Sequence, residues 1–136
     1  MNKKNNTTAV KVTFFSKKNA KMRAVYGHAG REVADALEAD DTIAQYDTNV
    51  DIDPALVSSI DKTGVRLQIT ESLWTTDFVT VGLDGGRGVI EVAEEKMLEG
   101  PHGLAFCERL ELSRRYWQRQ GVTDWKVAVI EEGGEL

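Results

Sequence analysis

Residues 73–92 read LWTTDFVTVGLDGGRGVIEV, and that stretch predicts two strands and the turn between them. Leu73 to Leu83 is rich in β-branched and aromatic side chains (Trp74, Thr75, Thr76, Phe78, Val79, Thr80, Val81), which suit a pleated, half-buried surface. Asp84-Gly85-Gly86 follows, and glycine there supplies the positive φ of a tight hairpin. Gly88 to Val92 is then the returning strand. The pair carries Asp77 inside the first strand and Glu91 near the end of the second, and an antiparallel hairpin can bring both carboxylates to one end of a sheet.

Working outward, Gly100-Pro101-His102-Gly103 breaks the chain, and Leu104 to Gln120 places Phe106, Leu110 and Trp117 near one helical face before Gly121 stops it. Trp125 to Ile130 is an apolar strand. Upstream, Val65, Leu67 and Ile69 alternate with Arg66, Gln68 and Thr70, which predicts another half-buried strand. Ala55 to Ile60 reads as a turn of helix or a ragged edge, and Ile43 to Ile52 as a loosely alternating strand closed by Pro54. Arg31 to Ala39 spaces Val33, Ala36 and Leu37 as a short helix, with Glu32 in the first turn where the helix dipole favours an acid. Residues 16–31 read as a polar loop around Tyr26, and Val10 to Phe15 as a short strand. The expected fold is α/β, a mixed sheet flanked by helices in a single compact domain.

A chain of 136 residues with 41% hydrophobic side chains suits one such domain. The lone Cys107 cannot form an internal disulfide and has no neighbours at metal-ligand spacing; with no signal peptide or membrane span indicated, a cytoplasmic protein is expected. The net charge of -5 hides an asymmetry, because no acid precedes Glu32 while Lys3, Lys4, Lys11, Lys17, Lys18, Lys21, Arg23 and Arg31 do. Residues 1–20 are therefore expected to form a basic, partly flexible arm that attracts phosphates, with residues 1–8 open to the plainer reading of a solubilising tail. Residues 132–136 read as a C-terminal tail.

Hard oxygen ligands such as Asp77 and Glu91 suit Mg²⁺, with Mn²⁺ as a substitute, and a metal so held can activate water and offset charge in phosphodiester cleavage. The plainer reading makes both acids solvent-facing strand residues. His28 and His102 sit in separate loops and do not suit a hard-oxygen site. Arg109, Arg114, Arg115 and Arg119 either track a phosphate backbone from the last helix or form its solvated face, while Trp117 and Trp125 read as core.

Four blocks carry a family resemblance. They are the run from Arg31 to Tyr46, Thr76-Asp77-Phe78, Val89-Ile90-Glu91-Val92, and Ala105 to Glu131 with Leu112-Ser113-Arg114-Arg115-Tyr116-Trp117 and Trp125-Lys126-Val127. In that order and spacing, residues 25–131 resemble the TnsA-type nuclease subunit of heteromeric cut-and-paste transposases, within the PD-(D/E)XK superfamily. The resemblance implies a restriction-endonuclease-like nuclease domain over residues 21–131. It also implies that Glu32, Asp77 and Glu91 are the metal-site carboxylates, with the backbone carbonyl of Val92 as a further ligand and Glu32 acting through water. Glu38 and Asp35 compete with Glu32 for that place. The implied substrate is double-stranded DNA at the 5′ ends of a transposon, and the implied partners are a DDE-type transposase and an ATPase regulator, with no membrane. Lys11, Lys17, Lys18, Lys21, Arg23, Arg114 and Arg115 are the expected DNA contacts.

The sequence departs from that pattern at one place, since a lysine belongs two residues after Glu91 and Ala93 stands there. Either the chain is naturally impaired, or Lys96 reaches back from the next turn, or the alanine is a deliberate inactivating replacement, the reading favoured because alanine is the usual substitute. The alternatives to a transposon nuclease are a catalytically silent DNA-binding or assembly subunit with the same fold, and a phage or repair endonuclease of the same superfamily.

Overall fold

The computed structural model describes residues 10–131, so the expectations for residues 1–8 and 132–136 lie outside the described residues. Two strands, β1 (Lys11–Ser16) and β2 (Lys21–Tyr26), form an antiparallel hairpin that leads directly into helix α1 (Gly27–Ala39). A four-stranded sheet follows, built from β3 (Ile43–Asp51), β4 (Thr75–Gly82), β5 (Arg87–Glu94) and β6 (Asp124–Ile130) in that spatial order. β3, β4 and β5 pair antiparallel, and β6 runs parallel to β5. The parallel pair requires a crossover, which is supplied by a 3-10 turn (Glu95–Leu98) and a long helix (Gly103–Arg119). Single turns of helix, α2 (Pro54–Val57) and α3 (Leu67–Thr70), lie in the connection before β4, so the long helix is α4.

The sheet buries both faces. On one, Val89 packs with Leu112, Tyr116 and Trp117 of α4; on the other, Phe78, Ile90 and Val92 pack with Val33, Ala34 and Leu37 of α1 and with Val25 of the hairpin. Val89 and Ile90 are neighbours in one strand, so the two helices cover opposite faces. This is the mixed sheet flanked by helices that the hairpin and its surroundings predicted.

Three expectations need correction. Residues 16–31 are not a loop, because Lys21–Tyr26 pairs with β1 and α1 begins at Gly27 rather than Arg31. The glycines hid this start: Gly27 has φ +78, and a Cβ on Gly30 would meet the Val25 Cβ at 3.3 Å, so both answer to backbone geometry and close packing. Residues 11–20 are accordingly not a loose arm; Ser16 is fully buried and donates to the Glu38 carboxylate at 2.5 Å. Nor do residues 65–70 form a strand. Leu67 is 69% exposed and begins a turn of helix, while Arg66 reaches Glu108 of α4 at 3.0 Å and docks the segment on that helix. Three alternating apolar residues are too few to separate a strand from a tethered turn.

Asn49 adopts φ +52 in mid-β3, and the strand changes faces there: Tyr46 lies in the α1-side core and Ile52 in the α4-side core. β4 makes the same switch opposite it. Phe78 packs on the α1 side, whereas Thr76 accepts from Trp117 Nε1 of α4 at 2.8 Å, with Asp77 between them. Asn49 also donates from Nδ2 to the carbonyl of Ala24 at 2.9 Å, tying β2 to the switch. Asn49→Val should therefore destabilise the fold by about 1–3 kcal/mol in urea denaturation, and Asn49→Gly by less, because glycine keeps the left-handed conformation. Equal losses would mean that only the hydrogen bond matters.

Candidate carboxylate site

The regular β4–β5 ladder ends at Phe78↔Ile90, and side chains take over its bonding from that point. The Asp77 N–H donates to Glu91 Oε1 at 3.2 Å, and the Val92 N–H donates to Asp77 Oδ2 at 2.8 Å. The second Glu91 oxygen accepts from Ser113 Oγ of α4 at 2.5 Å, and Ser113 in turn accepts from Trp125 Nε1 of β6 at 3.0 Å. Glu91 is fully buried, so this fixed set of donors stands in for its hydration. Asp77 opens onto a cleft shared with Tyr26, Val92, Glu94, Lys96 and Arg109.

Burial, joined by the adjacent Asp77 charge, pushes the Glu91 carboxyl up to about 7 against the pull of Ser113, the Asp77 N–H and Arg109. Burial also raises Asp77, opposed by the Val92 N–H and the charge of Arg109. Two carboxylates taken out of water together resist double ionisation unless a cation offsets them. The donors fit Mg²⁺ or Mn²⁺ chemically. Both are hard ions, and Mg²⁺ takes one or two carboxylates and completes its shell with water, carbonyl or phosphate oxygens. Among the described residues, no three His, Cys, Asp or Glu side chains gather into a metal-binding group.

Glu32 is not brought to this pair. It is exposed in the second turn of α1 with its carboxylate 3.5 Å from His28, while Gly27, Ala29 and Gly30 are the α1 residues that border the space around Asp77. The longer helix explains the difference, since Glu32 lies outside the buried stripe of Ala29, Gly30, Val33, Ala34 and Leu37. Asp35 pairs with Arg31 at 3.0 Å. Glu38 serves the framework: burial raises its carboxyl, but the hydroxyls of Ser16 and Tyr46 and the N–H of Lys18 bring it below its ordinary value.

Ala93 is fully buried, and strand alternation puts it on the same side of the sheet as Glu91. Lys96 lines the Asp77 cleft from the 3-10 turn. Arg109, read from sequence as part of a solvated or phosphate-tracking face, lines it from α4, and nothing in the sequence singles it out from the other arginines of that helix. Of the proposed DNA contacts, Lys11, Lys17 and Lys21 are exposed on the hairpin and Lys18 is half-buried. Arg23 is mostly buried and ion-paired with Asp47. Arg114 and Arg115 clamp Glu111 at 2.6 and 2.8 Å, five and six residues beyond Arg109, which places them roughly 120–140° around the helix from it.

The sequence matches no family model and no curated protein.

The raised Glu91 carboxyl fixes a sign. Its folded value, about 7, lies above the ordinary 4.5, so its contribution to stability is complete below about 4.5 and is lost as pH rises through 7. Without divalent metal, the melting temperature should fall by several degrees between pH 5.5 and 8, and Glu91→Gln should flatten that fall. Scanning calorimetry across this window checks it, because carboxylates held low, such as Glu38 and Glu111, act only at more acidic pH.

Proposed function

We propose that the chain is a divalent-metal-dependent DNA endonuclease subunit of the TnsA type, working slowly because position 93 carries no cation. The observation that carries the reading is the buried Asp77–Glu91 pair at the end of adjacent antiparallel strands, with the Val92 main chain bonded to it. The order of strands, the helices on both faces and the four sequence blocks support it. A bound Mg²⁺ would supply Lewis-acid activation of water and offset charge on the transferring phosphate. Of the chain's own groups, Asp77 and Glu91 would hold the cation, Ser113 and Trp125 keep Glu91 oriented, and the hairpin lysines would bind the DNA backbone.

The resemblance supplies the rest of the proposal: cleavage at the 5′ ends of a transposon, a DDE-type transposase for the 3′ ends, an ATPase regulator, and a cytoplasmic location. Among the described residues, no helix is long and apolar enough to cross a membrane. A second reading, an assembly subunit with the same fold, is favoured by Ala93 itself, which is fully enclosed and offers no functional group.

Mg²⁺ or Mn²⁺ should bind the unaltered chain in calorimetric titration, and Asp77→Ala should abolish binding. Nicking of transposon-end DNA, assayed with the transposase, should be slow. Ala93→Lys should speed it by about 10²–10³, the usual worth of one positioned charge-stabilising group, and Asp77→Ala should cancel the gain. A folded, metal-bound and DNA-bound Ala93→Lys protein that stays inert would decide for the assembly subunit.

The DNA surface has its own test. Replacing Lys11, Lys17 and Lys21 together with alanine should weaken binding to any sequence and flatten the slope of log affinity against log salt by about 2–3. An unchanged slope would place the DNA elsewhere.

A further inference from the structure

The two faces of the β1–β2 hairpin are unlike. Opposite residues of an antiparallel pair share a side, so Val12, Phe14 and Val25 lie on one face and Thr13, Phe15 and Met22 on the other. The first face is packed: Val25 belongs to the α1-side core, Val12 and Phe14 pack against it, and the Arg31 guanidinium sits 4.3 Å over the Phe14 ring. The second is bare. Phe15 is 60% and Met22 56% exposed, and as direct cross-strand partners they stand side by side in solvent. Lys11 stands on the same face, Lys17 and Lys21 flank the pair at the turn, and no acid occurs on either strand or between them. At the other end, half-exposed Tyr26 carries the bare face to the Asp77 cleft. We propose that this outer face is a base-reading ribbon that lies in the major groove of duplex DNA, with Phe15 and Met22 against thymine methyl groups and the lysines on the phosphates beside them.

Size and charge select the occupant. Two six-residue strands make a ribbon about 20 Å long, and with strands about 4.8 Å apart one face covers on the order of 200 Å². A specific protein partner takes roughly 800 Å². The major groove is about 12 Å wide and admits a two-stranded ribbon, and its phosphate edges attract a lysine-bordered strip that holds no acid. Thymine alone among the bases presents a methyl group there, which apolar side chains meet; the minor groove shows none. Lysines by themselves grip every sequence equally, and the apolar pair between them gives the grip a preference. The inference rests on the nuclease reading for DNA as its ligand, and on the hairpin's own geometry for the groove.

The test compares two short duplexes by fluorescence anisotropy with metal-free protein, one of alternating adenine and thymine and one in which deoxyuridine replaces every thymidine. They differ only in the methyl groups. The unaltered protein should bind the uracil duplex about tenfold more weakly, the worth of roughly two buried methyl groups. Phe15→Ser combined with Met22→Ser should weaken binding to the thymine duplex by a similar factor and bind both duplexes equally. It should also keep the salt slope, which replacing the lysines flattens. Both positions are exposed, so the variant should fold, and the comparison of duplexes needs no variant at all. Equal binding of the two duplexes by the unaltered protein, or binding to neither, overturns the inference. So does a dimer in analytical ultracentrifugation that the two serines disperse, which would give the face to a second copy of the chain. DNA bound and cut without regard to the methyl groups would leave the nuclease reading standing and end this one, whereas methyl-dependent binding with no metal-dependent cutting would do the reverse.

Discussion

Glu91 carries a carboxyl group with no exposed surface, clasped between the Asp77 N–H and the Ser113 hydroxyl, and the elements around it are arranged about that clasp. β4 contributes a main-chain donor just beyond the end of its ladder, α4 a hydroxyl, and β6 the indole that orients the hydroxyl. An ionised carboxylate buried without such partners would be far costlier than the stability of a small domain allows. The site and the core are therefore the same object seen from two sides: the parallel β5–β6 pairing and the α4 crossover are what deliver Ser113 and Trp125 to Glu91.

The face switch at Asn49 and Asp77 explains how this is reached without breaking the sheet. β3 and β4 stay in register through the change, with Thr48 opposite Phe78 and Val50 opposite Thr76. On β4, the acid between Thr76 and Phe78 is the residue the change of face releases from the ordinary alternation, and there Asp77 meets both the Val92 N–H and the cleft. A left-handed asparagine in mid-strand is a local cost tolerated where function asks for irregular backbone.

The sequence made the central hairpin legible because a run of β-branched and aromatic side chains and Asp-Gly-Gly agree over residues 73–92. The start of α1 was hidden because Gly27 and Gly30 are poor helix formers chosen for backbone angle and closeness to Val25. Val65 to Ile69 mimicked a strand, since nothing local reveals that Arg66 is tied to a glutamate 42 residues away. Asp77 and Glu91 could be paired from the turn between them. Glu32 could not be tested in the same way, because its facing depends on where its helix begins. Arg109 was named among four arginines of one helix, and only the partner strand distinguishes it from Arg114 and Arg115.

At the far end of α1, Ser16, Asn19, Glu38 and Tyr46 form a closed knot. Glu38 accepts from Ser16 and Tyr46, Asn19 Nδ2 donates to Ser16 Oγ at 2.8 Å, and the Tyr46 N–H donates to Asn19 Oδ1 at 2.7 Å. Burial and the Glu38 carboxylate push the Tyr46 phenol up to about 12, so its proton stays in the knot across any working pH. The hairpin is thus bolted to the helix and the sheet instead of swinging from them. For a nuclease of the kind proposed, whatever the hairpin lysines grip would be held at a constant offset from Asp77, and the protein would act as a gauge, measuring from the point of grip to the point of cutting with its own frame.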